Sequence, residues 1–178
     1  STIHLFPFYD NFNIDKGWSG FEPDGWEIGP TVARGGENGN PDPGADYTST
    51  DDNNVLGFAI GADYPNDMEE KAIISPPIDC TGQDQVFLKF RRHLNVEDNG
   101  FDHAKIYISN DVTTWTQVWE NPPIDLIDSQ WVPVVLDISS IAANQAAVCI
   151  KFAMGPTNSS KRFSGWNIDD LEVTSEAV

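Results

Sequence analysis

The sequence predicts an all-β fold, a sandwich or barrel, and three observations carry that reading. Segments in which apolar and polar residues alternate recur at short intervals, with turn residues between them. Twelve Pro and fourteen Gly supply those turns. Helix signals are nearly absent, with one turn expected in 138–144. The 178 residues suit a single domain spanning 1–178. A chain of this size buries roughly 70% of its unfolded surface, so it needs no covalent staple.

The elements follow in order. Ile3 to Phe12 and Asn54 to Ile60 are expected strands. Ala72 to Ile74 is a shorter one, stopped by Pro76-Pro77. Gln85 to Leu94 has the clearest alternation, with Val86, Leu88, Phe90 and Leu94 on one face and Lys89, Arg91 and His93 on the other. Ala104 to Ser109 turns Ala104, Ile106 and Ile108 inward. Trp131 to Ile138 presents Val132, Val134, Leu136 and Ile138 to one side, and Ala147 to Met154 does the same with Val148, Ile150, Phe152 and Met154. The last strand, Trp166 to Val173, changes parity: Trp166 and Ile168 share one face, Leu171 and Val173 the other. A β-bulge at Asp169-Asp170 reconciles them and re-aims two adjacent carboxylates.

Charge excludes several functions. Twenty-eight acidic and ten basic residues give a net charge of −18. Nucleic acid and anionic membrane surfaces would be repelled. No apolar run approaches the roughly 20 residues that span a bilayer. The start at Ser1-Thr2-Ile3 carries no leader pattern and reads as a mature protein or excised module. The excess charge serves as a solvated surface, partly neutralised by bound cations.

One segment has no strand pattern. From Gly35 to Asn54, about twenty residues hold five carboxylates: Glu37, Asp42, Asp46, Asp51 and Asp52. Loops this long inside a compact domain are usually functional or disordered. Cys80 and Cys149 form either one disulfide or two buried thiols. Arg92 shares the parity of Phe90 and Leu94, so an inward guanidinium needs a carboxylate, with Glu97 and Asp102 nearest in sequence. His4, His93 and His103 are scattered and form no zinc motif. No nucleophile elbow or phosphate loop occurs. The chain therefore reads as a non-enzyme.

The ending Gly165-Trp166-Asn167-Ile168-Asp169-Asp170-Leu171-Glu172-Val173 resembles the Ile-Asp-Asp last strand of MAM-type jelly rolls and of bacterial modules attached to secreted proteases, glycosidases and adhesins. Asn11-Phe12-Asn13 with Gly17-Trp18, Asp46-Tyr47-Thr48, Ile74-Ser75-Pro76 with Ile78-Asp79, and Ser129-Gln130-Trp131 fall in the order such a domain has them. The resemblance implies a two-sheet antiparallel jelly-roll β-sandwich, a secreted or cell-surface setting and a calcium ion near the two chain ends. Phe12-Asn13 stands where that family often has Phe-Glu, and the animal cysteine pattern is missing, which favours a bacterial module.

Calcium takes six to eight oxygen ligands. An acidic loop closing on a bulge with two carboxylates can supply them, with Asp46 and Asp169 first, then Asn13, Asp51 and Asp170. For glycan contact, Trp115 and Trp119 differ by four and would share a face of a regular strand, opposite Val118. Trp26 and Tyr64 sit near expected loops. The alternative for any of these rings is to seal the ends of the core. The expected function is a calcium-stabilised carbohydrate-binding module for a polysaccharide or cell-surface glycan. The alternative is an adhesive or structural module contacting other domains of its parent protein or copies of itself.

Overall fold

The computed structural model describes residues 2–48 and 50–178; Ser1 and Ser49, the latter inside the long acidic loop, lie outside the described residues. Thirteen strands and one helical turn follow in the order β1 His4–Leu5, β2 Phe8–Asp10, β3 Trp26–Pro30, β4 Asn54–Phe58, β5 Lys71–Ile74, β6 Ile78–Asp79, β7 Phe87–Val96, β8 Ala104–Ser109, β9 Thr116–Glu120, β10 Leu126–Ile127, β11 Val132–Asp137, α1 Ser139–Ala142, β12 Cys149–Met154 and β13 Gly165–Thr174. The expected strands are all present, though the first is split by Phe6-Pro7 into β1 and β2.

Two antiparallel sheets face each other. The larger holds β10 and β11 on one side of β7, then β13, then β4 and β3, with β2 on the far end of β13. The smaller runs β5-β12-β8-β9. A short parallel pair, β1 with β6, departs from the antiparallel rule. The arrangement is a jelly-roll β-sandwich. The period-two pattern explains the layering, because alternate side chains of each strand meet between the sheets. Leu88, Phe90, Leu94 and Val96 of β7, Trp166 and Ile168 of β13, and Ile106, Ile108, Ile150 and Phe152 of the smaller sheet are buried there. Trp166 is the hub, with ring centroids of Phe152 at 5.5 Å and Trp119 at 5.6 Å.

The bulge is where the change of parity requires it. The β7–β13 register shifts between Asp169 and Glu172, and Asp170 adopts a φ of 46°. Leu171 and Val173 thereby return to the core. Asp169 points to the outer face of the larger sheet.

Two side-chain expectations are corrected, and the open alternative for the cysteines is decided. Cys80 and Cys149 are buried free thiols, not a disulfide. Arg92 pairs with neither Glu97 nor Asp102; its Nε donates to Asp128 at 2.8 Å. Asp128 precedes β11, and the pairing of β10 and β11 with β7 brings it there, a placement that sequence distance does not reveal. Trp115 and Trp119 do not share a face. A register shift between β8 and β9 pairs Ile106 with Trp119 but Tyr107 with Gln117. Trp119 therefore turns to the core while Trp115 lies outside over the Lys151 ammonium, 4.4 Å away.

Candidate functional site

The outer face of the larger sheet is divided in two. Toward one end, His93 and Asn95 of β7 and Asn167 of β13 point away from the core, yet all three are buried. Residues 31–48 cover them. Asn40 N–H donates to Asn95 Oδ1 at 2.9 Å, and Asn40 Nδ2 donates to the Asp128 carbonyl. Asn167 Nδ2 donates to Asp42 at 2.6 Å, and Gly61 N–H donates to the same carboxylate. Trp131 Nε1 donates to the Ala45 carbonyl. Gly39, at a φ of 69°, makes the closest approach: a Cβ there would stand 2.7 Å from Asn95 Oδ1. Burial pushes the Asp42 carboxyl up to about 7, with the nearby Asp63 charge adding to the rise.

The loop crosses the bulge next. Asp169 accepts from Tyr47 N–H at 2.8 Å, Thr48 N–H at 3.1 Å, Thr48 Oγ1 at 3.0 Å and Asp170 N–H at 2.8 Å. Burial pushes the Asp169 carboxyl up to about 6 against those donors. Asp170 accepts from Tyr9 OH and is also in contact with the Thr48 hydroxyl. Thr48 carries one hydroxyl proton and has two carboxylates within reach. Thr50 repeats the pattern, 2.6 Å from Asp46 and 2.8 Å from Asp52. Acceptor oxygens therefore exceed the protons available to them at both threonines.

Beyond the bulge the face is open. A groove of about 470 Å³ is lined there by Tyr9, Tyr47, Lys89, Arg91, Val135 and Glu172 among others. Its floor is set by register: Val135 lies opposite Lys89, Lys89 opposite Glu172, and Glu172 opposite Tyr9, so one row crosses β11, β7, β13 and β2. Pro133 and Arg91 form a parallel row beside it. Tyr9 and Tyr47 keep 43% and 41% of their surface exposed. The Arg91 guanidinium lies over the Tyr47 ring, 4.2 Å from its centroid. Lys89 Nζ is 3.3 Å from Glu172. The groove thus combines two accessible rings with a fixed set of polar groups, which is the usual make-up of a small-molecule site.

The expected site residues divide accordingly. The structure brings Asp169 and Asp170 together with Tyr47 and Thr48 of the acidic loop. Asp46 and Asp52 meet through Thr50. Asn13 is exposed, its N–H donating to Asn11, and Asp51 is exposed. Trp26 and Tyr64 cannot be contact rings, because both are fully buried. Trp26 sits edge-on to Phe58, and the Tyr64 hydroxyl donates to Asp102 at 2.6 Å. Of the groove residues only Asp170 was a candidate site residue in the sequence, as a calcium ligand, although the β7 alternation already set Lys89 and Arg91 on the non-core face.

No family model and no curated protein matches the chain. Among solved structures it is similar to the K1 cleaved adhesin domain of Lys-gingipain from Porphyromonas gingivalis W83, with a TM-score of 0.55 and 15% identity over 96% of this chain and 98% of that one. It is also similar to the CBM22-2 xylan-binding domain of Paenibacillus barcinonensis Xyn10C, with a TM-score of 0.53 and 12% identity over 95% and 99%. At these identities the likeness establishes the jelly-roll fold across nearly the whole chain. The MAM-type part of the resemblance rests on the sequence motif alone. Among the described residues no helix is long and apolar enough to cross a membrane.

Proposed function

We propose that this domain is a non-catalytic carbohydrate-binding module of a secreted bacterial protein, and that the open groove is its glycan site. The observation that carries this reading is the pairing of exposed Tyr9 and Tyr47 with the polar groups of Arg91, Lys89, Asp170 and Glu172 in one concave site. Sugars present a CH-rich face that packs on aromatic rings, and a rim of hydroxyls that bond to fixed donors and acceptors. A structurally similar domain is xylan-binding by name, so xylan belongs among the first probes. Glycan-array binding tests the reading. Binding that Tyr9→Ala removes supports it; an array with no bound glycan sinks it and favours the adhesive alternative.

Calcium stabilisation is part of the same proposal. Among the described residues no three of the His, Cys, Asp and Glu side chains converge as a metal group. The fit therefore depends on mixed oxygen donors in two clusters, Asp169 and Asp170 with Thr48, and Asp46 and Asp52 with Thr50. Their excess of oxygens over protons suits a hard cation. A calcium ion held there would supply positive charge between the loop and the last strand. Ligand at a hundredfold above Kd adds about 2.7 kcal/mol, which for this length raises Tm by roughly 5–10 °C. Asp169→Ala and Asp46→Ala should each remove most of that response. Coincident melting curves in calcium and in chelator at equal ionic strength would exclude the ion.

A further inference from the structure

We infer that the groove selects a glycan carrying a single carboxylate, a uronic acid unit within an otherwise neutral chain, with Arg91 as the carboxylate receptor. The inference rests on the groove being the glycan site. Of the ten cationic side chains in the sequence, several are already committed. Lys71, Lys89, Arg92, Lys161 and Arg162 are in ion pairs, and Lys16 Nζ donates to the Tyr9 carbonyl. Arg91 differs from these. Among the described residues its guanidinium makes no ion pair and no hydrogen bond, yet it lines the groove and is held in place by the Tyr47 ring. A guanidinium offers five N–H donors in a planar fork that matches a carboxylate in two-point fashion. Stacking on an aromatic face fixes the plane of that fork and leaves its edge available for a ligand.

The surroundings limit how much charge the ligand can bring. Glu172 is compensated by Lys89, and Asp170 is engaged by Tyr9. Among the described residues Arg91 is thus the one groove cation outside an ion pair, and it matches one carboxylate. The chain as a whole carries −18, so each further carboxylate on the ligand meets repulsion. A polyuronate is disfavoured on that ground, and a lone uronate in a neutral backbone is favoured. The sugar ring bearing the carboxylate would lie against Val135 and Pro133, which border Lys89 and Arg91 on β11.

The test uses matched oligosaccharides that differ only in whether one unit is glucuronate or glucose, so that a carboxylate replaces a CH2OH group. The intact domain should bind the best uronate form roughly ten- to a hundredfold more tightly, the range expected of a charge-assisted pair. Arg91→Gln should remove that preference, lowering affinity for the uronate form far more than for the neutral form. Arg91→Lys keeps the charge without the fork and should restore only part of the preference. Melting curves of both variants separate loss of selectivity from loss of fold. Equal affinity of the intact domain for both forms, with binding still abolished by Tyr9→Ala, overturns the uronate assignment and leaves the groove reading standing. Binding of neither form by the intact domain overturns both. Tighter binding of a polyuronate than of the singly charged form also overturns the assignment.

Discussion

The two halves of the larger sheet's outer face are built from the same strands, yet they serve different ends. Under the loop, β7 and β13 contribute His93, Asn95 and Asn167, all buried, with Asn95 tied to the Asn40 backbone and Asn167 to the Asp42 carboxylate. Farther along the same strands, Lys89, Arg91 and Glu172 face the open groove. What separates them is what covers the polar side chains. A buried polar group must be hydrogen-bonded or it destabilises the fold. An exposed one is free to exchange water for a ligand. The covered half should therefore respond to substitution with loss of stability, and the open half with loss of binding.

The largest effect is expected at Asp128. It holds Arg92 through Nε and Nη2 and also accepts the Leu94 N–H. Asp128→Ala would leave a largely buried guanidinium without its carboxylate, at a cost of about 3–5 kcal/mol. Urea denaturation should show the midpoint falling with the slope unchanged. A loss below 1 kcal/mol would mean that the covered half is not held by this pair.

Next is the pH dependence contributed by Asp42. Its carboxyl is pushed from the ordinary 3.8 up to about 7 in the folded state. Between those values the folded chain holds a proton that the unfolded chain has lost. The contribution is fully present below about pH 4 and disappears as pH rises through about 7. A shift of this size corresponds to a few kcal/mol, on the order of 1.4 per unit. Asp10, Glu97, Asp102 and Asp169 are raised by burial as well and act with the same sign. Buried His93 is shifted down and acts in the opposite sense as pH falls below about 6.5. Asp42→Asn isolates the effect of one group. It should raise Tm at pH 8 and change it little at pH 4. Equal changes at both pH values would show that Asp42 is not the titrating group.

A smaller loss is expected from Gly39→Ala. The added methyl meets Asn95 Oδ1 at 2.7 Å and Phe163 at 3.0 Å, in a left-handed conformation. The cost should be about 1–3 kcal/mol, with faster amide exchange in residues 35–48 as the loop lifts. Unchanged exchange would place the tether elsewhere.

The covered and open halves also differ in how well the sequence announces them. The strands were legible because alternation is local and each segment carries its own period. The bulge was legible too, since Trp166 and Ile168 disagree in parity with Leu171 and Val173. The acidic loop stood out by length and composition, and its closure on Asp169 follows the bulge. What the sequence does not carry is pairing across distance. Tyr9 becomes a groove residue only because β2 adds to the far end of β13. Arg92 meets Asp128 only because two short strands fold back along β7. Trp115 and Trp119 part company through a single extra residue in β9. Trp26 and Tyr64 lie in loop-like sequence, yet each gives its polar hydrogen to a fixed partner, the Lys71 carbonyl and the Asp102 carboxylate, as large amphipathic rings in a core do.

The smallest effect is expected in the open half, at the pair of Lys89 and Glu172. Their charged atoms are 3.3 Å apart, but the Glu172 side chain keeps 42% of its surface exposed. Water screens such a pair, and holding two long side chains in one geometry costs entropy that offsets most of the attraction. Lys89→Ala should lower stability by under about 1 kcal/mol, and 1 M salt should shrink the difference further, because the Debye length then falls to about 3 Å. The same substitution bears on the groove in a way that the Asp128 and Gly39 changes do not. Removing Lys89 leaves the Glu172 charge uncompensated on the groove floor, next to the place where an anionic sugar would sit. Stability should hold while affinity for a uronate-bearing oligosaccharide falls, and Lys89→Ala combined with Glu172→Gln should recover part of it. A stability loss as large as that at Asp128 would erase the distinction between the two halves, since the open face would then be as structural as the covered one.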